Sequence, residues 1–222
     1  MTSLAVQRKR LADSIMRDAI YDGVMEILDE HGLAGATMDR IAATVGVAKG
    51  SLYNHFRGKD DLLAFVHDRT IRPLLESTER VVTTDLAIAG KIEAMIRNWQ
   101  RHVGEHRATF QILANYGNVE GGLKQAMAQS ESAAIELIAG LITEGIEAGE
   151  FRPVKAHFVA EMLLVAVKKM LGQQLKDVVP RSDDETVDTL VAVFIHGLCA
   201  KQHQEKPIER IRDGVAPHRA TD

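Results

Sequence analysis

Residues 36–63 run ATMDRIAATVGVAKGSLYNHFRGKDDLL, two short helical patterns on either side of a tight Val45-Gly46-Val47 turn. Thr37 is a good N-cap for the first, and Asp39 in its first turn suits the helix dipole. That helix is predicted to span Met38–Val45 and to bury Ile41, Ala42 and Val45. The next pattern, residues 48–56, turns Leu52 and Phe56 inward at i,i+4 and leaves Tyr53, Asn54 and His55 pointing outward. This is the layout of a helix-turn-helix, in which one helix braces and its successor enters the major groove of DNA.

The charge of the chain fits a small polyanion-facing surface. The 222 residues carry a formal net charge of −4, which argues against nonspecific polyanion binding by the whole molecule. Residues 37–59 hold Arg40, Lys49, Arg57 and Lys59 against Asp39, about +3, which leaves −7 on the rest. A basic face on an acidic body suits a protein that touches phosphates through one surface. Windows this short also drift to such a value by chance, so charge is a weak argument alone.

Outward from that stretch, nearly every periodic segment has the helical period. In the preceding helix Ile20, Val24, Ile27 and Leu28 share a face, and Gly32 stops it near the C′ position. Residues 59–82 continue as a long helix with Pro73 inside, a site for a kink. Further helices are predicted over residues 85–102, 107–116, 123–148, 156–176 and 184–204. The fold class is therefore all-α, about nine helices: a three-helix helix-turn-helix domain (residues 1–66), a helical domain (67–205) and a disordered tail (206–222).

No apolar run approaches the 18 or more residues of a membrane span, and the N-terminus lacks the apolar core of a signal peptide. Cys199 is the lone cysteine, so neither an intrachain disulfide nor a cysteine metal cage is expected. These features lead to the expectation of a cytoplasmic protein with no membrane contact.

The motif residues resemble the TetR family of bacterial transcriptional regulators. They stand here as Thr37, Ile41-Ala42, Val45-Gly46-Val47, Ala48, Lys49-Gly50, Leu52-Tyr53, His55-Phe56 and Lys59-Asp60…Leu62. The resemblance covers roughly the first 66 residues. Glu144-Gly145-Ile146…Gly149-Glu150-Phe151-Arg152 and Gly197-Leu198 resemble weaker patterns in that family's second domain. Two departures stand out. Ala48 replaces a serine or threonine and removes a side-chain N-cap worth about 1 kcal/mol. Gly23 replaces an alanine, which either permits a closer helix crossing or loosens its helix.

The resemblance implies a DNA-contacting set of Thr37, Arg40, Lys49, Gly50, Ser51, Tyr53, Asn54, His55 and Lys59. Gly50 lets the backbone approach DNA, Asn54 is the base reader, and Tyr53 holds a phosphate. Lys59 meets a phosphate at the N-terminus of its helix. The alternative is that Tyr53 and His55 are ordinary surface residues of a small bundle. The basic run Arg8-Lys9-Arg10 is either a solvated face or an arm for the minor groove.

For the second domain the resemblance implies a ligand pocket and a four-helix homodimer interface made by the last two long helices. Val159, Met162, Leu163, Val165, Ala166, Met170 and Leu171 make the penultimate helix too apolar for a surface helix. Candidate pocket residues are Met95, Trp99, Phe110, Met127 and Phe158 as walls, with His102, Gln111 and Asn115 as polar anchors. Leu113, Tyr116 and Ile138 extend the walls. Lys168-Lys169 either rims the interface or meets an acidic ligand.

Other motifs were weighed against simpler readings. His102-Val103-Gly104-Glu105-His106 fits the H-x-x-E-H pattern of some zinc peptidases. A third ligand would have to come from Glu161 or Glu185, and Gly104 is expected to interrupt the helix, so no metal and no catalytic residue is assigned. Gly58-Lys59 is not a phosphate loop, because Tyr53 stands where its first glycine belongs. Taken together, the expected protein is a homodimeric DNA-binding regulator, a repressor released from a pseudo-palindromic operator by an unidentified small molecule, with no cofactor. The rivals are a regulator of the same kind without a small-molecule effector, and a zinc hydrolase using His102, Glu105 and His106.

Overall fold

In the computed structural model, residues 4–114, 121–175 and 183–199 are described, and they form nine helices. These are α1 (Leu4–Gly35), α2 (Met38–Val45), α3 (Lys49–His55), α4 (Lys59–Val82), α5 (Ile88–Glu105), α6 (Arg107–Ala114), α7 (Gly121–Glu147), α8 (Ala156–Gln174) and α9 (Asp183–Leu198). Asn115, Tyr116 and the tail at 206–222 lie outside the described residues.

Helix ends follow local chemistry. Gly32 takes φ 61°, ψ −172° and breaks the helical run of α1 near its end. The Arg40 N–H donates to Thr37 Oγ1 at 3.3 Å, and Gly46 closes α2 in the left-handed region at φ 73°. Only residues without a Cβ penalty enter that region cheaply. Pro73 lies within α4, which continues through it to Val82. The segment predicted at 85–102 instead begins at Ile88, where the Glu150 carboxylate accepts the Ile88 N–H at 3.0 Å.

Two apolar cores divide the molecule. The first gathers Ile20, Val24, Ile27 and Leu28 of α1, Ile41 of α2, Leu52 and Phe56 of α3, and Leu62, Leu63 and Val66 of α4. Gly23 allows the tight crossing here: a Cβ in its place would stand 2.6 Å from Val45 Cγ2. Of the two readings of that glycine, the closer crossing is the one the packing supports. Arg17 of α1 lies over the Phe56 and Phe65 rings at 5.8 and 5.3 Å, covering the same core with a cation.

The second core is built from α4, α5, α7, α8 and α9 around Ile92, Met95, Ile96, Ile138, Ile142, Leu163 and Val167. Each such side chain contributes about 1.5–3 kcal/mol by leaving water. The Gly145…Phe151 pattern has a packing explanation. A Cβ on Gly145 would stand 2.5 Å from the Phe151 ring, so only glycine admits that ring to the core. Glu144 pairs with the buried Lys91 at 3.2 Å. Phe151 also forms an antiparallel bridge with Cys199, pinning the end of α9 to the α7–α8 turn.

Candidate nucleic-acid interface and ligand cavity

α3 is short, and its two faces differ sharply. Leu52 and Phe56 are buried, while Tyr53 and Asn54 are exposed, Tyr53 at 46%. His55 and Ser51 are half-buried at the flanks. Ala48 is extended (φ −65°, ψ 139°) and makes no side-chain capping bond to the first turn of α3. Outside its own helix backbone and chain neighbours, no described residue lies within 4 Å of a Cβ built on Gly50. A phosphate backbone can therefore approach Gly50 closely, and no internal contact requires glycine there.

Thr37 and Arg40 are exposed on the neighbouring edge of α2, where Arg40 Nη1 donates to the Gly35 carbonyl at 3.0 Å. Lys49 Nζ stands 2.6 Å from Asp39, and its pKa is raised first by that hydrogen bond and then by the same charge. Both groups are more than half exposed, so solvent screens the pair and it adds little to stability. A phosphate can displace Asp39 at little cost.

Lys59 differs from expectation. Its Nζ donates to the Leu33 carbonyl at 2.5 Å, and partial burial lowers its pKa. One of its three donors thus ties α4 to the end of α1, and only the remainder can face a phosphate. The Arg8-Lys9-Arg10 run is helical and exposed within α1, not an extended arm.

The neighbouring Asp60 makes a contact that sequence reading missed. Its carboxylate accepts the N–H of Gly122 and, at 3.3 Å, that of Leu123, capping α7. Gly121 just before takes φ 72°. Leu123 then packs into the first core. The start of α7 is therefore latched to the first turn of α4, next to Lys59. The Gly121-Gly122 pair, in retrospect, was the only signal in the sequence.

A cavity of about 260 Å³ opens among α4, α5, α6, α7 and α8. Trp99, Phe110 and Met127 line it as expected, joined by Leu74, Ala134, Leu164 and Leu171. Lys168 and Glu131 also line it and pair at 3.0 Å. Met95 and Ile138 are instead fully buried core. Gln111 does not line the cavity, but its side chain donates to the Leu175 carbonyl at 2.6 Å, and Leu175 does line it. Phe158 stands 60% exposed on the far side of α8, beside Met162 (48%) and Val165 (62%). That face of α8 stays open among the described residues, and Phe158 is not part of the cavity lining.

His67 was not anticipated. It is buried, its Nδ1 has no hydrogen-bond partner among the described residues, and burial lowers its pKa. It borders both the 260 Å³ cavity and an adjoining cleft of about 460 Å³ that carries Asp68, Arg72, Glu76 and Glu79 between α4 and α7. A histidine in the apolar stripe Leu63, Val66, Thr70, Leu74 was the available signal.

His102 lies at the corner of α5 and α6 outside the cavity lining. Its ring is 4.5 Å from that of His106 and meets Phe110 edge-on at 5.9 Å. Gly104 does not interrupt α5, which runs on to Glu105. Ligand atoms of His102, Glu105 and His106 consequently all fall within 4.8 Å of one another. No helix among the described residues is long and apolar enough to cross a membrane.

Comparison with known proteins agrees with this geometry. The family model "Bacterial regulatory proteins, tetR family" matches residues 20–66. The HTH-type transcriptional regulator TtgW of Pseudomonas putida is 33% identical over 109 residues, covering 48% of this chain and 78% of its own. The fatty acid metabolism regulator protein of Bacillus subtilis is 25% identical over 136 residues, 60% of this chain and 69% of its own. Among solved structures, FadR of Bacillus subtilis in complex with stearoyl-CoA superposes with a TM-score of 0.71 at 20% identity, covering 81% of this chain and 97% of that one. SmeT, repressor of a Stenotrophomonas maltophilia multidrug efflux pump, gives 0.71 at 19% identity over 84% of this chain and 91% of its own. With the braced, outward-facing α3 and these relatives together, the chain belongs to the TetR family of bacterial DNA-binding transcriptional regulators.

Proposed function

We propose that this regulator is a repressor that holds a pseudo-palindromic operator as a homodimer and lets go when a small molecule enters the α4–α8 cavity. In this reading residues 1–66 are the reading head and residues 67–205 carry the cavity and the dimer contact. Thr37, Arg40, Lys49, Ser51, Tyr53, His55 and the free donors of Lys59 hold phosphates, Gly50 admits the backbone, and Asn54 reads a base edge. The observation that carries the reading is the division of α3, with Leu52 and Phe56 buried and Tyr53 and Asn54 exposed. The chain itself performs no catalysis in this account, and it acts on DNA by occupancy alone.

The dimer contact is the exposed apolar stripe of α8, Phe158, Met162 and Val165, together with Val193 of α9, which is 66% exposed. Pairing these faces about a two-fold axis buries them and sets two heads about one DNA turn apart, roughly 34–36 Å. The effector is apolar along most of its length, to match Trp99, Phe110, Leu164 and Leu171. One polar group pairs with His67 Nδ1, which otherwise remains buried without a partner. The acyl-CoA bound by the structurally similar FadR is one molecule of that description. Release requires the effector to prefer the conformation that misfits DNA, since equal affinity for both would shift nothing.

Titration of the purified chain onto duplexes from its own promoter, followed by fluorescence anisotropy, tests this. Tyr53→Ala is expected to weaken every operator about equally. Lys49→Ala is expected to reduce the slope of affinity against salt by about one ion. Asn54→Ala is expected to relax preference at particular base pairs while sparing the rest. Absence of binding to any promoter duplex at low salt would overturn the assignment. An affinity that no apolar ligand shifts would remove the effector and leave the regulator.

A further inference from the structure

We propose that His102, Glu105 and His106 form a binding site for one zinc-class divalent transition-metal ion at the α5–α6 corner. The spacing i, i+3, i+4 sets the three side chains on one helix face. Their ligand atoms lie within 4.8 Å of one another, close enough to share a single ion. Two imidazoles and a carboxylate are the ligand set of open zinc sites, in which a fourth position stays free for water or another donor. The same mixture of nitrogen and oxygen ligands disfavours magnesium and calcium, which prefer oxygen alone.

Partial burial and then the neighbouring His106 lower the pKa of His102, which favours the neutral imidazole that a metal takes. Gly104 offers no side chain across the exposed face, and no other described residue outside its own helix backbone and chain neighbours comes within 4 Å of where its Cβ would be. Helix α6 begins at Arg107, directly after His106, and Phe110 on it touches both His102 and the cavity. The ion therefore fixes the last turn of α5 and its C-cap residue His106, directly before α6. The site stands independently of the effector reading, because none of its ligands lines the cavity.

The full-length chain, stripped with chelator, is titrated with cobalt(II) followed by its visible absorption and with zinc chloride followed by calorimetry. One ion per chain is expected, with the intense tetrahedral cobalt spectrum. His106→Gln, which changes an exposed side chain, is expected to weaken zinc by more than about tenfold, since even outer-shell losses cost that much. Glu105→Gln is expected to weaken it less. Zinc should also raise the melting temperature of the parent and not that of His106→Gln, by mass action on the folded state. A control carrying His203→Gln and His218→Gln should bind as the parent does. The proposal is overturned if the parent binds no zinc at micromolar concentration, if His106→Gln binds as tightly as the parent, or if the tail control abolishes binding.

Discussion

Helices α3 and α8 are both amphipathic puzzles, and they resolve in opposite ways. In α3 the apolar residues Leu52 and Phe56 face the chain's own core, and the polar ones face out. In α8 apolar side chains point both ways: Ala160, Leu163, Leu164, Val167 and Met170 are buried, whereas Phe158, Met162 and Val165 are exposed. A helix with one apolar stripe has one solution, and its other face is free for function. A helix that is apolar all round needs two partners, and sequence periodicity does not distinguish a core from a cavity or a second subunit. The head advertises its function by what it leaves polar. The body conceals its function in a surplus of apolar surface.

The strongest way to break that contrast is to empty the core beneath α3. Leu52 is fully buried, and Leu52→Ala should cost about 2–5 kcal/mol. Because Leu52 holds the reading helix against α1 and α2, operator binding should collapse while the second core still melts cooperatively. Two-probe denaturation, with Trp99 fluorescence reporting the body and far-ultraviolet dichroism the whole, measures the split. A single coincident transition shifted for both would show that the Asp60–Leu123 latch makes the two cores one cooperative unit.

The matching test in the body is polar. Trp99 Nε1 donates to Thr78 Oγ1 at 2.8 Å, and Thr78 is fully buried. Thr78→Val keeps the shape and removes the acceptor, leaving a buried N–H unsatisfied at about 1–3 kcal/mol. Urea denaturation followed by Trp99 emission reads the loss directly. Operator binding by the folded fraction should be unchanged, since Thr78 touches nothing in the head. A drop in operator affinity beyond the loss of folded protein would instead mean that the α4–α5 contact sets the position of the head.

How much was legible follows from the same physics. The bounds of α2, its Thr37 cap and the Gly46 turn were readable because each rests on contacts within four or five residues. The inward and outward faces of α3 were readable for the same reason. What escaped depended on distant partners. Lys59 reads as offering all its donors to a phosphate until the Leu33 carbonyl, 26 residues earlier, is seen to accept a hydrogen bond from one of them. Asp60 reads only as the acidic member of the Lys59-Asp60…Leu62 motif until the start of α7 arrives 62 residues later. Trp99, Phe110 and Met127 line the cavity, whereas Met95 and Phe158, equally apolar, went to the core and the surface. Gly104 was misjudged as a breaker because helix propensity, at about 1 kcal/mol, is easily outweighed by the packing of α5.

A smaller effect concerns the missing cap. Ala48 already has the extended backbone of an N-cap but makes no capping bond. Ala48→Ser should supply the acceptor and stabilise the free protein by about 1 kcal/mol. Thermal melting measures the gain. If stability rises but operator affinity does not fall, the uncapped first turn of α3 plays no part in holding a phosphate. A fall in affinity would assign it that role.

The smallest expected change is the most discriminating. Gly50 lies in the first turn of α3, where alanine is favoured over glycine by about 0.5–1 kcal/mol. Beyond its own helix backbone and chain neighbours, no described residue lies within 4 Å of an added Cβ. Gly50→Ala should therefore stabilise the free protein slightly. Any reason for glycine must then lie outside the molecule, in a backbone approaching close enough that one methyl group intrudes. Melting temperature and operator affinity measured on the same preparation should move in opposite directions, the first up by a degree or more and the second down. If both rise, the DNA does not come that close to α3 at Gly50, and the docking of this helix must be pivoted toward Tyr53 and Asn54.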